Sequence, residues 1–465
     1  MSSYTRKYTQ LFIRAMVRPE GYLVATFAGL ILIGACLLAL PAAHASPEPH
    51  PYAHRLVNAM FTSTSAVCVT GLTVLDTEHD YSRFGQLVIL VLIQCGGLGI
   101  MTFASFAAQL LGQKISFRSQ AALHDVFYQQ TAAGQFRRHL RWLVILTLSI
   151  ESVGAVLLFR ALPADFPRDQ ALFTAVFHAV SAFCNAGFST FSDSLVGMSG
   201  QVPFMAVIVM LIVLGGLGYS VLFELLRRAG DRVTRRRNFA PWSLNTRMVL
   251  TTSGLLIVWG MLFLYLAGFR GQTTGVGPRV GHAFFQSVTA RTAGFNTLDI
   301  AALPTCALLM LIVLMFIGGS PGSCAGGIKT TSLAIWVARM RARLRHREDV
   351  TVAGRRIPVD LVRRTGLLIG VAVVFNLLGI LVLSISEMNT ATGHAPLSDI
   401  LFEQISAFGT VGLSTGLTPV LSLAGKCWII LSMFVGRLGP LTVAFLVLEH
   451  KPDTVRLPEE RLMVG

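Results

Sequence analysis

Long apolar runs without a charged residue recur along the chain. Six of them cover residues 21–47, 84–113, 194–223, 248–269, 300–328 and 366–386. Each is longer than the ~20 residues with which an α-helix crosses a bilayer. Because a helix satisfies its own backbone polar groups in lipid, the pattern predicts an all-α polytopic membrane protein.

One short sequence pattern occurs four times between these runs. The copies are SAVCVTGLT at 65–73, SAFCNAGFS at 181–189, VTARTAGFN at 288–296 and SAFGTVGLS at 406–414. Their central glycines are separated by 116, 107 and 118 residues. Each copy follows an apolar span and a short, weakly helical stretch, and it precedes another span. The pattern predicts four tandem units of span, short helix, Gly-containing strand and span, at 21–111, 138–228, 245–343 and 361–449.

Composition agrees with a membrane protein. Of the 465 residues, 53% are hydrophobic and 13% are charged, whereas a soluble domain carries about 25% charged residues. Twenty-eight of the 38 Lys and Arg lie in the five segments 1–20, 112–142, 227–247, 339–364 and 451–465. Positive segments between spans mark the cytoplasmic side. The formal charge of +15 is therefore a topology signal, and we expect no nucleic-acid partner.

Hydropathy alone would also allow the short helices to count as spans, since 56–75 and 404–425 are uncharged and about long enough. Three crossings per unit would place successive basic segments on opposite sides of the membrane, against the positive-inside rule. Two crossings per unit keep them all in the cytoplasm. The sequence thus predicts eight crossings in the cytoplasmic membrane, with cytoplasmic terminal segments 1–20 and 450–465 and four re-entrant loops.

The re-entrant loops are the candidate functional site. Backbone at this depth is tolerated only where it lines water or is buried in protein. Four such loops around one axis could direct carbonyl oxygens into a shared ion path, with the C-terminal ends of the short helices adding partial negative charge. Glycine suits this geometry because it adopts positive φ without a Cβ clash. The candidate filter residues are Val69, Thr70, Gly71, Asn185, Ala186, Gly187, Thr292, Ala293, Gly294, Thr410, Val411 and Gly412.

These residues resemble the superfamily of K⁺ transporters that includes the TrkH, KtrB and plant HKT proteins. Thr410-Val411-Gly412 is similar to the K⁺-channel filter strand, and the other triplets match the degenerate versions of this superfamily. The resemblance covers about 20–450. Eight crossings, rather than the ten of TrkH members, favour the KtrB branch.

The resemblance implies K⁺ uptake through a pseudo-fourfold pore within one subunit. It also implies a homodimer in membrane lipid and a cytosolic nucleotide-binding ring of the KtrA or TrkA type, which would hold any nucleotide. No covalent cofactor is expected, and Na⁺ coupling is left open. The alternatives are a TrkH-type transporter and a Na⁺-permeable HKT-like transporter.

The second span of the third unit contains an unusual concentration of glycine together with Pro321, and we expect its helix to be interrupted there. Proline removes a donor and adjacent glycines weaken a helix, although Gly318, Gly322 and Gly326 could instead form a helix-packing face. A phosphate loop is excluded because Ile328, not glycine, precedes Lys329. The segment resembles the superfamily's intramembrane gate loop. The candidate gate residues are Gly318, Gly319, Ser320, Pro321, Gly322, Gly326, Gly327, Lys329 and Arg437.

Two of these gate residues are cations inside spans, where burial in lipid costs at least ~2.5 kcal/mol. Lys329 and Arg437 should therefore face water or an acceptor. Arg437 matches the arginine that the superfamily has near its gate, where its charge would oppose a cation. The alternative is an arginine that snorkels or bonds a loop and holds the fold.

The remaining polar residues in apolar sequence are expected to be structural. Arg291 should point behind the third filter strand, since a cation facing the path would repel K⁺. His54, His178 and His282 have no acidic or Cys companions and are interpreted as packing residues; Glu151 receives no role. Seven single cysteines predict neither a disulfide framework nor a metal site. An intramembrane enzyme would need a catalytic constellation inside the spans, and a sensor would need an output domain; we find neither pattern.

Overall fold

The protein is mostly helical. The structure is a computed structural model that describes residues 19–45, 52–99, 133–233, 241–268, 275–388 and 395–439. Of the described residues, 69% lie in helices and 2% in strands. This composition confirms the all-α class. The predicted terminal segments 450–465 and nearly all of 1–20 lie outside the described residues, as do most of 112–142 and residues 234–240.

Seven helices are described in the first half of the chain. They are α1 (Pro19–Leu38), α2 (Tyr52–Val67), α3 (Arg83–Gly97), α4 (Ala133–Ala161), α5 (Arg168–Cys184), α6 (Val202–Leu217) and α7 (Tyr219–Val233). Helix α3 begins at an N-cap, because the Ser82 hydroxyl accepts a bond from the Gly85 amide at 3.2 Å. Helix α5 ends where Asn185 turns into the left-handed conformation, with φ 58° and ψ 46°.

Seven more helices follow in the second half. They are α8 (Leu244–Phe263), α9 (Val276–Thr289), α10 (Thr305–Phe316), α11 (Thr330–Leu344), α12 (Val359–Ser386), α13 (Leu397–Gly409) and α14 (Leu423–Leu438). A π-helical turn, Leu264–Gly268, extends α8. Between α11 and α12, strands β1 (Thr351–Val352) and β2 (Arg355–Arg356) pair antiparallel as a two-residue hairpin.

Three described helices are long and apolar enough to cross a membrane: Arg141–Ala161, Leu244–Ala267 and Val359–Ser386. A fourth span results if α6 and α7, which bend by 109°, count as one. Shorter apolar helices lie at Val24–Leu38, Arg83–Gly97 and Thr305–Phe316. The predicted total of eight crossings and the unit boundaries stay predictions.

Glycines allow the helices that follow three of the short helices to pack against the C-terminal ends of those short helices. A Cβ on Gly96 of α3 would collide with the Val67 carbonyl at the end of α2. The same collision would occur between Gly215 of α6 and Phe183 of α5, and between Gly436 of α14 and Phe408 of α13. Because only glycine permits this approach, α3, α6 and α14 pack directly against the C-terminal turns of α2, α5 and α13. These three turns lead into the first, second and fourth glycine strands.

Candidate functional site

The four glycine strands meet in a closed ring. A Cβ on each central glycine would crowd the carbonyl oxygen that precedes the next glycine along the chain, and the fourth strand returns to the first. The pairs are Gly71 with Ala186, Gly187 with Ala293, Gly294 with Val411, and Gly412 with Thr70. The structure therefore brings together all four predicted triplets, although more than 100 residues separate consecutive copies.

The four strands share one unusual backbone conformation. The first residue of each triplet has φ between 49° and 76°, the middle residue does not have positive φ, and the glycine has φ between 70° and 94°. The sign of φ therefore alternates along each strand in the same way. A left-handed conformation costs a residue with a Cβ about 1 to 2 kcal/mol. Val69, Thr292 and Thr410 are also β-branched, so this geometry is strained and must be held by its surroundings.

A hydroxyl near the end of each short helix holds the strand in place. The four residues are Ser65, Ser181, Thr289 and Ser406, all buried. Three of them donate to carbonyls just past the glycines: Ser181 to Phe188 at 2.7 Å, Thr289 to Phe295 at 2.7 Å and Ser406 to Leu413 at 2.6 Å. Ser65 accepts from the Gly71 amide at 3.0 Å. Sequence analysis missed this role, although serine opens three of the four copies.

A buried carboxylate supports the fourth strand further. Glu403 of α13 accepts bonds from the Ser414 hydroxyl at 2.5 Å, the Thr415 amide at 3.1 Å and the Thr418 hydroxyl at 2.6 Å. These bonds fix the chain that follows Gly412. No sequence pattern pointed to Glu403, because its three partners lie more than ten residues away along the chain.

The ring lies at the base of a wide cavity of about 820 Å³. All four central glycines line this cavity, which we call the vestibule. Its charged lining residues are Asp76, Asp80, Asp193 and Asp299, and none of the lining residues within the described chain is Lys, Arg or His. A cavity lined by one sign of charge raises the local concentration of the opposite ion. The vestibule therefore favours cations next to the ring.

The predicted interruption of the third unit's second span is present. Helix α10 ends at Phe316, α11 begins at Thr330, and residues 317–329 between them form a non-helical loop closed by a parallel bridge between Ile317 and Ile328. The Thr330 amide also donates to the Gly319 carbonyl at 3.0 Å. This loop, which we call the crossing loop, replaces the helix-packing face considered above.

The crossing loop contacts the ends of several helices and one filter strand. Its Ser320 amide donates to the Gly216 carbonyl of α6 at 3.1 Å, and the Cys324 thiol donates to the Gly97 carbonyl of α3 at 3.2 Å. On the filter side, a Cβ on Gly326 would collide with the Thr410 hydroxyl. The loop thus lies against the ring on the face opposite the vestibule.

The two gate cations, Lys329 and Arg437, bond to this region. The Arg437 guanidinium of α14 donates to the carbonyls of Cys324 in the crossing loop and Gly96 in α3. Lys329 donates to the Ala325 carbonyl at 2.5 Å within the loop. Each cation therefore has a carbonyl acceptor, as expected for a charge in a span. Arg437 connects the crossing loop to two helices that are far apart in sequence.

The chain also bends between α6 and α7. Helix α6 also ends, at Leu217, and the chain bends at Gly218, where φ is 86° and a Cβ would lie 2.5 Å from the Pro321 carbonyl oxygen. Helices α3 and α14 likewise end just before glycines with positive φ, Gly99 at 73° and Gly439 at 88°. The signal was present as Gly-Gly-Leu-Gly at 96–99 and 215–218 and Gly-Arg-Leu-Gly at 436–439, but it is hidden within apolar sequence.

The other polar residues singled out in the sequence bond to groups outside the four triplets. Arg291 donates to the Ser253 hydroxyl of α8 at 3.1 Å, as expected for a residue behind the third strand. His178 contacts the Thr174 carbonyl at 2.8 Å and the Ser189 hydroxyl at 3.0 Å. Glu151 accepts a bond from the Gln94 amide at 3.0 Å.

His282 contacts the Thr297 hydroxyl at 2.9 Å. His54 lies in α2 and, like the other two histidines, has an interaction partner. All seven cysteines are free thiols. The site is therefore built from backbone carbonyls and hydroxyls, and among the described residues no cation lines the vestibule.

Comparison with known proteins agrees with this geometry. The family of TrkH cation transport proteins matches residues 23–455. The Ktr system potassium uptake protein B of Bacillus subtilis is 36% identical, over 96% of this chain and 97% of its own length. The potassium/sodium uptake protein NtpJ of Enterococcus hirae is 35% identical, over 97% and 98% respectively.

The fold also has a solved counterpart. The potassium transporter TrkH from Vibrio parahaemolyticus matches 91% of this chain and 83% of its own, with a TM-score of 0.69 at 20% identity. At this identity the match is informative about the fold, while the sequence relatives carry the assignment. The resemblance stated from the sequence is confirmed, and the chain belongs to the TrkH family of cation transport proteins.

Proposed function

We propose that this protein takes up K⁺ across the cytoplasmic membrane through the ring formed by the four glycine strands. The observation that carries the proposal is the closed ring itself, in which four strands with the same alternating φ face one another. The names of the relatives, which are potassium or potassium/sodium uptake proteins, support a transporter rather than an enzyme.

The proposed architecture is four tandem units around one pseudo-fourfold pore, at 21–111, 138–228, 245–343 and 361–449. Repetition supports it at three levels: one strand conformation, one hydroxyl tether and one glycine contact per unit, the last in three of the four.

The ring suits a large, weakly hydrated cation. Carbonyl oxygens replace the hydration shell of K⁺ in filters of this kind. Thr70, Thr292 and Thr410 have buried hydroxyls without a partner in the described chain, and each could supply a further oxygen. We assign ion coordination to the twelve residues of the four triplets, from Val69–Gly71 to Thr410–Gly412.

The proposed gate is the crossing loop together with Arg437. The loop lies against the ring through Gly326 and Thr410, so an ion leaving the ring meets it next. Arg437 adds a positive charge at this point and links the loop to α3 through the carbonyls of Cys324 and Gly96. Opening then requires the loop to move and at least one of these bonds to break.

The finer features rest on the family resemblance. We propose a homodimer with both termini in the cytoplasm, and regulation by a cytosolic nucleotide-binding ring that contacts the basic segments 227–247 and 339–364. The 16 Arg of these two segments suit an acidic partner surface. Changing Arg235, Arg236 and Arg237 to Gln should weaken pull-down of a KtrA-like protein, and the difference from the parent should shrink as added salt screens the charges.

The deciding experiment is ⁸⁶Rb⁺ or K⁺ flux into proteoliposomes of the purified protein, with and without Na⁺. We expect K⁺-selective flux that exceeds that of empty vesicles. Flux that requires Na⁺ on the same side would add coupling, and equal permeability to Na⁺ would indicate an HKT-like transporter. No cation flux from folded protein, alone or with a KtrA-like ring, would reject the proposal.

A further inference from the structure

A groove at the surface of the molecule has no role in the proposed ion path. It lies between α8 and α11, has a volume of about 790 Å³, and continues to the β1–β2 hairpin. We infer that this groove binds one anionic phospholipid, with an acyl chain between the helices and the phosphate at the arginines near the end of α11.

The walls of the groove are apolar and exposed. Leu255 and Trp259 of α8 are 71% and 48% exposed, and Val337 of α11 is 50% exposed. At 1.5 Å per residue, α11 extends about 12 Å from Leu333 to Arg341, close to the thickness of one hydrocarbon leaflet of about 15 Å. The groove can therefore accommodate a lipid chain over most of one leaflet.

The mouth of the groove is positively charged. Arg341, Arg345 and Arg347 line it, and no ion pair within the described residues involves them. The single acidic residue there, Asp349, is already paired with Arg356 at 2.8 Å. Since a helix C-terminus carries partial negative charge, an anion at the end of α11 must be held by side chains. Basic pockets between helices on the cytoplasmic side are typical sites for anionic lipid headgroups.

The mouth is also part of a β-hairpin that hydrogen bonds and buried side chains hold in place. The hairpin turns through Ala353 and Gly354, with φ 50° and 78°, the conformation that two-residue hairpins prefer. The Ile357 amide donates to the Val350 carbonyl at 2.8 Å. Both side chains are buried against Ala342 of α11. The hairpin thus holds Arg347 and the edge of the groove against the helix.

Charge and wall chemistry together favour a lipid over a soluble anion. A free phosphate would use the arginines but leave the exposed apolar wall uncovered. A phospholipid satisfies both, because its headgroup and chain are joined in the orientation that the groove presents. This inference concerns lipid binding and does not depend on which ion is transported.

The test uses the full-length protein purified in detergent and exposed to equal amounts of phosphatidylglycerol and phosphatidylcholine. Bound lipid is counted by native mass spectrometry, and thermal stability is measured in vesicles of each lipid. We expect retained phosphatidylglycerol and a higher melting temperature in its vesicles. Replacing Arg341, Arg345 and Arg347 by Gln should reduce retention roughly tenfold or more.

Matched variants distinguish lipid binding in the groove from nonspecific attraction by positive charge and from the effect of adding a bulky side chain. Replacing Arg343, Arg363 and Arg364 by Gln removes the same charge from exposed positions outside the groove and should leave retention unchanged. Val337→Trp should block the chain and reduce retention, whereas Val374→Trp, at a 66% exposed position of α12, should not.

Three results would overturn the inference. Equal loss of bound phosphatidylglycerol in the groove variant and in the control arginine variant would mean that nonspecific charge retains the lipid. Equal stabilisation by inorganic phosphate would indicate a soluble anion. A change in dimer mass with Val337→Trp, without a change in bound lipid, would indicate that a second copy covers the groove.

Discussion

Single residues at the ring are constrained by conformation and by space at once. Gly412 has φ 94°, and a Cβ there would collide with the Thr70 carbonyl of the neighbouring strand. Gly416, four residues later, has φ 91° but open space around its Cβ position. This pair distinguishes backbone strain from crowding in the ring.

We expect Gly412→Ser to reduce the preference for K⁺ over Na⁺ by about tenfold, which corresponds to ~1.4 kcal/mol. The Cβ would displace the Thr70 carbonyl, which is a proposed ligand of the ion. Gly416→Ser should carry a similar conformational cost while keeping the preference. Relative K⁺ and Na⁺ fluxes in proteoliposomes check both; unchanged selectivity in folded Gly412→Ser protein would count against the ring as the filter.

Arg437 acts through charge, through its two bonds, or through both, and substitutions can separate these effects. Arg437→Ala should raise partner-free flux roughly tenfold if it removes about 1.4 kcal/mol from the barrier. A lysine at this position keeps the charge but cannot reproduce the fork of the guanidinium. We therefore expect Arg437→Lys to give an intermediate flux, measured by ⁸⁶Rb⁺ uptake at matched dimer content. Parental flux in both variants would leave Arg437 with a packing role alone.

At the scale of elements, the breaks in the helices matter more than their lengths. Helix α6 ends where Gly218 meets Pro321 of the crossing loop, so the bend between α6 and α7 and the position of the loop depend on one another. Neighbouring Gly216 has only an ordinary contact, 3.4 Å from the Asn185 side chain. Two glycines in one sequence motif therefore have different structural roles.

Gly218→Ala should displace the crossing loop, lower the melting temperature and raise partner-free flux. Left-handed strain of about 1 to 3 kcal/mol adds to the clash with Pro321. Gly216→Ala should leave both quantities near the parental values. The measurements are thermal unfolding and ⁸⁶Rb⁺ flux, and similar behaviour of the two variants would disprove the coupling between bend and loop.

Deleting Pro321–Gly326 tests the loop as a barrier. The deletion should raise flux without the cytosolic partner and preserve the preference for K⁺, because the barrier is steric and the ring chemistry is unchanged. Expression, dimer content and melting temperature are the controls. Basal flux at the parental level in well-folded protein would make the loop a packing feature.

At this scale, the sequence predicted those elements whose residue pattern recurs within a short stretch of each copy. The short helix and the glycine strand were predictable because each copy carries its hydroxyl, small residues and glycine within nine positions. The bend at Gly218 and the helix ends near Gly99 and Gly439 were not predictable, since glycine is common in apolar spans and the contact of Gly218 with the crossing loop leaves no local pattern. The acceptors of Arg437 lie 113 and 341 residues away, and no local pattern encodes such pairs.

At the scale of the whole molecule, charge is distributed asymmetrically about the ring. The vestibule has aspartates on one face, whereas Arg437 and Lys329 lie on the other. The arginine-rich segments 227–247 and 339–364 belong to the proposed cytoplasmic side. A field of this sense concentrates cations at the entrance and opposes them at the exit, so that the gate rather than the entrance limits resting flux.

The asymmetry predicts a salt-sensitive uptake rate. Asp299 is exposed in the vestibule, and its carboxylate also accepts a bond from the Ala301 amide at 3.0 Å. Asp299→Asn keeps that acceptor and removes the charge, so uptake at low K⁺ and low ionic strength should fall about twofold, with the maximal rate unchanged.

Varying the salt concentration is a control for the predicted effect of Asp299→Asn, because salt screens the charge of the carboxylate. At 0.1 M salt or above the Debye length falls to about 10 Å, and the difference between Asp299→Asn and the parent should shrink as ionic strength rises. Asp165→Asn removes an equal charge from an exposed loop outside the vestibule and should have no effect at any salt concentration. A salt-independent loss in Asp299→Asn would instead mean that this residue shapes the vestibule, and the field would then have no part in attracting the ion.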